Sequence, residues 1–222
     1  MGINFCYKPI TSRSKYSDPD LHRCYRLAGH TGRCSEFPFL EHLQQVAPKV
    51  RSKIIRDATM TTGASWKSDD AGPNRIRRWA MLLPDKTLRD QFGINMSSLK
   101  PQVVSKLREK AATYEDCMAV AKKLTFLAYG MPSAPQPPSA TVAYLEALFG
   151  TLVPNSTVCL VCEKPLSFTL FRDARRGKAE IETAHSNPRL HSPDNVGFAH
   201  RSCNIAQGPL SLEEFMIGWK MF

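Results

Sequence analysis

Two ligand pairs near the C-terminus constrain this chain more than any other feature: Cys159 with Cys162, and His200 with Cys203. A C-x2-C pair can grip one face of a tetrahedral zinc at about 2.3 Å, and a second pair delivered by a helix completes the set. Four protein ligands leave no open position, so such a zinc holds the fold and does no chemistry. The segment between the pairs must return on itself. Two strand-like runs, Leu166 to Phe171 and Ala179 to Ala184, flank the turn-forming DARRGK, which predicts a β-hairpin. AHRSCNIAQ then reads as a short helix. Hairpin followed by helix, closed by a ligand pair at each end, describes a ββα unit around a structural zinc.

The other cysteines extend the argument. The chain has 7 cysteines. The start has no apolar h-region, so an odd count points to metal or free thiols rather than a disulfide framework. Cys6, Cys24, His30 and Cys34 have the spacing C-x17-C-x5-H-x3-C, a second candidate zinc set whose wide loop also admits reduced thiols beside an unrelated histidine. Cys117, in YEDCMAVAKKLTFLAYG, is predicted to be a buried helical residue. Gly2 resembles a myristoylation start, but Cys6 occupies the position that requires Ser or Thr.

The charge is one-sided. The net charge is +10 over 222 residues. Met1 to Lys110 holds 20 Lys and Arg against 10 Asp and Glu, whereas the remainder is balanced. Such a field points to a polyanion, most commonly nucleic acid; a bias toward solubility is the bland alternative. No apolar run is long enough to span a membrane, and a cytoplasmic location is the expectation.

Periodicity predicts partial helix over Phe37 to Arg56, one or two amphipathic helices over 99–129, and a short helix over Thr141 to Phe149. Met60 to Asn74 reads as a loop. MPSAPQPPSA, with four prolines, reads as a linker. The expected organisation is therefore a helix-rich, basic, zinc-bearing recognition region over 1–130, a linker over 131–140 and a C-terminal domain over 141–222, in the α+β class. Ser211 and Glu214 form an S-x-x-E capping box, and Leu212, Phe215, Met216 and Trp219 give the helix behind it one apolar face. That face is expected to pack on the ββα unit, with a partner surface as the lesser alternative.

The C-terminal segment resembles the HNH, or ββα-metal, nuclease family. The resemblance rests on His185 at the end of the second predicted strand, Asn195 in the following loop, the zinc pairs and the Cys203-Asn204 dipeptide at the helix start, in that order. It covers about residues 157–219. It implies hydrolysis of a phosphodiester, with His185 as the general base, since a neutral imidazole can take a proton from water near pH 7. It implies that Asn204 ligates a hard divalent ion such as Mg²⁺ through its amide oxygen, and that Asn195 ties the loop and orients His185. Arg189 and Arg201 flank the site as candidate phosphate clamps. Many members carry Asp directly before the histidine as a second metal ligand; here that residue is Ala184. Glu182 and His191 are the candidate substitutes, although Glu182 should face the opposite side of the strand from His185.

The resemblance with the basic first half implies target recognition, as in HNH-type type II restriction endonucleases acting on double-stranded DNA. Arg75, Arg77 and Arg78 are candidate DNA contacts, and Trp66 and Trp79 are expected in the core. The products would be 5′-phosphate and 3′-hydroxyl ends. One site cuts one strand, so a double-strand break at a palindrome implies a homodimer. A modification-dependent, homing or phage HNH endonuclease, a junction or RNA nuclease, and a non-catalytic zinc DNA-binding protein are the alternatives.

Overall fold

A computed structural model describes residues 28, 29, 31, 34–61, 76–174 and 179–219, the side chain of Trp219 excepted. Its helices are α1 (Glu41–Val46), α2 (Pro48–Thr59), α3 (Asp85–Phe92), α4 (Pro101–Glu109), α5 (Tyr114–Tyr129), α6 (Ser139–Phe149), α7 (Phe168–Arg172), α8 (Arg201–Gln207) and α9 (Leu212–Trp219). The strands are β1 (Ile181–His185) and β2 (Val196–His200). The class is α+β, helix-rich, with a two-stranded sheet.

The chain divides into two compact units that interleave along the sequence. One takes the chain up to Glu41 and Met60–Tyr114; the other takes His42–Thr59 and Glu115 onward. The Pro-rich segment 131–140 thus lies inside the second unit, as do α2 and most of α5. In the first unit Ile76, Ala80, Met81, Leu88, Ile94 and Leu107 form a buried cluster, with Val103 and Val104 of α4 packed against it. Gly93 ends α3 in the left-handed conformation, at φ 65°, where a side chain would be strained.

In the second unit α5 buries Cys117, Val120, Ala121 and Leu124 at helical spacing. The hairpin is displaced from its predicted place. Leu166 to Phe171 is not a strand; α7 occupies most of it. Phe168 and Phe171, three residues apart, are both buried, while Leu170 is 43% exposed. Strand alternation would have buried Leu170 with Phe168 and turned Phe171 outward. Phe171 instead meets Phe198 of β2 at 4.8 Å between ring centroids. The actual hairpin pairs β1 with β2 antiparallel, from Ile181 opposite His200 to His185 opposite Val196. α8 packs on both strands, and α2 packs on α7.

The capping box forms: Ser211 N donates to Glu214 Oε2 at 2.7 Å, and Glu214 N donates to Ser211 Oγ at 3.2 Å. The hydrogen bonds from Ser211 hold the Glu214 carboxyl below its ordinary range. The apolar face of α9 is less covered than expected. Leu212 and Phe215 are half-buried, but Met216 and Ile217 are exposed.

Candidate metal and nuclease site

The zinc pairs converge. The ligand atoms of Cys159, Cys162, His200 and Cys203 all lie within 4.8 Å of one another. Cys159 and Cys162 sit in a tight knuckle: Cys159 N donates to Lys164 O at 2.8 Å and Glu163 N donates back to Cys159 O at 2.9 Å. Glu163 takes a left-handed turn, at φ 59°. Leu160 N donates to Phe198 O at 2.8 Å and so ties the knuckle to β2. His200 caps α8, and Cys203 follows in its first turn. Cys162 Sγ lies 3.4 Å from His200 Nδ1. Burial, then the hydrogen bond with Cys162, pushes the Cys203 thiol up to about 11. Burial also opposes ionisation of Cys162, but hydrogen bonds, the Lys164 backbone first, outweigh it and lower that thiol. Thiolates this close together repel one another unless a cation lies between them. The donor types and convergence fit a zinc ion, which would neutralise them. Of the N-terminal set, Cys6, Cys24 and His30 lie outside the described residues, and Cys34 is half-buried.

β1 carries the other candidate residues on alternating faces. Thr183 and His185 share one face, Glu182 and Ala184 the other. On the first, Thr183 Oγ1 donates to Asp57 Oδ2 at 2.9 Å, so α2 lies along it. His185 Nε2 lies 3.1 Å from His191 Nδ1, and His191 Nε2 lies 2.7 Å from Ala58 O, near the end of α2. On the second face, Asn204 of α8 donates from Nδ2 to Glu182 Oε2 at 2.9 Å. A carboxylate cannot donate, so this contact turns the amide oxygen of Asn204 away from Glu182. Arg201 Nε lies 3.9 Å from Glu182 Oε1. Ala184 is buried and offers no ligand atom.

Asn195 is the hub of the loop between the strands. It is 8% exposed. Its Nδ2 donates to Asn187 O and Leu190 O, both at 2.8 Å, and its Oδ1 accepts from Asn187 N at 2.8 Å. A single amide thus closes the turn that begins at His185. Gln207, not singled out by sequence, is buried on α8 and donates to His185 O at 2.9 Å and Leu210 O at 3.0 Å. Asp57 was also missed. It is buried with Lys53 at 2.8 Å and Arg56 at 2.7 Å. Burial raises its carboxyl, but the two cations together hold it below its ordinary value. In sequence Asp57 merely follows a basic helical run, so nothing marked it.

The arginines divide. Arg189 is exposed, with its backbone N–H on Asn187 Oδ1 at 3.0 Å. Arg201 is half-buried beside Glu182. Arg75 lies outside the described residues. Arg77 places its guanidinium 5.2 Å from the Trp79 ring centroid. Arg78 is only 2% exposed, and its Nη1 donates to Lys110 O at 3.0 Å. Buried there, it joins two segments of its unit. Trp79 is buried as expected, edge-on to Tyr114 at 5.1 Å.

The DraIII sequence family matches residues 36–203, three quarters of the chain and both faces of β1. The chain belongs to the DraIII family, a family of restriction endonucleases. A solved structure described as the crystal structure of a type II restriction endonuclease is similar to it. The two are 44% identical with a TM-score of 0.84, and the match covers 98% of this chain and 96% of the other. No functionally curated protein matches significantly. Among the described residues of this DraIII-family chain, no helix is long and apolar enough to cross a membrane.

Proposed function

We propose that this protein is a type II, site-specific endonuclease that hydrolyses double-stranded DNA with an HNH-type site. In this reading His185 is the general base and Asn204 holds a divalent ion. One observation carries it: a strand ending in His185 packs on the helix bearing Asn204, within a chain matched over 98% of its length by a type II restriction endonuclease. The basic excess of the first half supplies the field for phosphate contacts, and Arg189 and Arg201 are the phosphate-facing candidates beside the site.

An oxygen donor on the Ala184 face suits a hard ion. Asn204 brings an amide oxygen, turned away from Glu182 by the 2.9 Å hydrogen bond from its Nδ2, and such a donor suits Mg²⁺. Glu182 orients that amide and does not take the place of the carboxylate missing at Ala184. Nor does His191 take it, because both its ring nitrogens are engaged. A divalent ion held there would supply charge stabilisation at the scissile phosphate and the departing 3′ oxygen. His185 takes the proton from the attacking water, and Asn195 and Gln207 hold the strand end from which it acts. Cys159, Cys162, His200 and Cys203 would hold a zinc that ties the knuckle, β2 and α8 together. Two copies, one per strand, would make the double-strand break.

The test is digestion of phage and plasmid DNA by purified protein with Mg²⁺ or EDTA, followed by sequencing of fragment ends. Discrete fragments sharing one end sequence, formed only with the metal, are expected. His185→Ala should lower cleavage at least about 100-fold while leaving DNA binding intact. Smeared products would refute site specificity. No cleavage of unmodified or methylated DNA would refute the activity.

A further inference from the structure

We infer that His191 is a positioning residue for His185, holding it in the tautomer whose Nδ1 is the basic nitrogen, with the carbonyl end of α2 as the anchor. This rests on the reading of His185 as the general base.

Ala58 O can only accept, so His191 Nε2, 2.7 Å away, carries a hydrogen. A neutral imidazole protonated at Nε2 has a bare Nδ1. That Nδ1 faces His185 Nε2 at 3.1 Å, so His185 Nε2 must be the donor. A neutral His185 protonated at Nε2 keeps its lone pair on Nδ1. One backbone carbonyl thereby determines the proton placement on two rings.

The anchor is suited to its task in two ways. Ala58 is in the last turn of α2, where carbonyls lack intrahelical partners and the helix dipole is negative. When His185 takes a proton from water, its ring becomes a cation. His185 Nε2 keeps its own hydrogen on His191, no proton leaves His191, and the hydroxide formed attacks phosphorus as the 3′ oxygen departs. The negative helix end then stabilises the charge gained by the pair. The anchor is also fixed in place. Asp57, the residue before Ala58, accepts from Thr183 on β1 at 2.9 Å, two positions from His185. Gln207 holds the His185 carbonyl from α8 at 2.9 Å. His191 is brought back toward His185 by the turn that Asn195 closes.

Two variants and one spectrum test the inference. In His191→Gln, the amide can present an oxygen to His185 and an N–H to Ala58; in His191→Phe neither exists. Single-turnover cleavage of the duplex found by end sequencing is measured alongside its Kd. The Phe variant should cleave about 10–100-fold more slowly, the usual cost of losing a ring-orienting partner, with Kd unchanged. The Gln variant should recover most of the rate. Nitrogen-15 spectra of the histidine rings should show His185 protonated at Nε2 in the parent and as a tautomer mixture in the Phe variant. Parent-like cleavage by His191→Phe, or a parent His185 protonated at Nδ1, would overturn the inference. The parent spectrum decides even if the Phe variant does not fold. Failure of the underlying reading looks different: His185→Ala would then still cleave, whatever the spectrum shows.

Discussion

Replacing Asp57 by Ala should destabilise the second unit severely, although Asp57 is remote in sequence from every candidate catalytic residue. Its carboxylate is buried and meets Lys53 at 2.8 Å, Arg56 at 2.7 Å and the Thr183 hydroxyl at 2.9 Å. These contacts are not equal. The Arg56 side chain is 39% exposed, so its pair is worth only about 0–1 kcal/mol. Lys53 is 15% exposed and loses its counter-charge in a largely buried setting. Breaking one side of a buried pair costs about 3–5 kcal/mol, and a hydrogen bond to a charged group about 1.5–3 kcal/mol. These terms overlap, so about 3–5 kcal/mol is expected in total. At about 2–4 °C per kcal/mol for a chain of this size, the melting temperature falls by roughly 6–20 °C. Urea unfolding followed by far-ultraviolet circular dichroism, with calorimetry, measures it. The pH dependence is a second check. The folded carboxyl is held below its unfolded value of 3.8, so its contribution is fully present well above that value. It is lost as pH falls through the lower folded value. The gap between the parent and Asp57→Asn should therefore be constant from about pH 8 to about pH 5 and close in stronger acid. A loss below about 1 kcal/mol for Asp57→Ala, or a gap that widens in acid, would refute the reasoning.

Two further outcomes concern the second unit. Cys162→Ser should carry one zinc fewer per chain than the parent by atomic emission and melt earlier, because a metal bound only by the folded form contributes its binding energy to folding; equal zinc content would sink the Cys3His site. Gly130→Ala should cost about 1–3 kcal/mol in urea unfolding. A Cβ there would sit 2.6 Å from Thr157 Oγ1, and that hydroxyl is held by Leu127 O at 2.6 Å and cannot easily give way.

What was legible in the sequence was encoded within a few residues. The two ligand pairs, the Ser211–Glu214 cap, the burial of Cys117 and the helix of AHRSCNIAQ each follow from spacing along one element, and each is present. The run from Leu166 to Phe171 misled because so short an apolar stretch fits both periods; burial of Phe171 against Phe198 decided for the helix. The residues that complete the site came from far away. Asp57 and Ala58 lie more than 120 positions before Thr183 and His191, in a segment whose periodicity shows only that one face is apolar. Arg78, basic in composition, proved to be an interior hydrogen-bond donor. A residue's type and spacing determine which atoms it can offer and which neighbours on its own element it meets. Which backbone carbonyl a histidine finds across a helix, and so which of its nitrogens is basic, depends on how distant segments pack, and only the tertiary structure decides that.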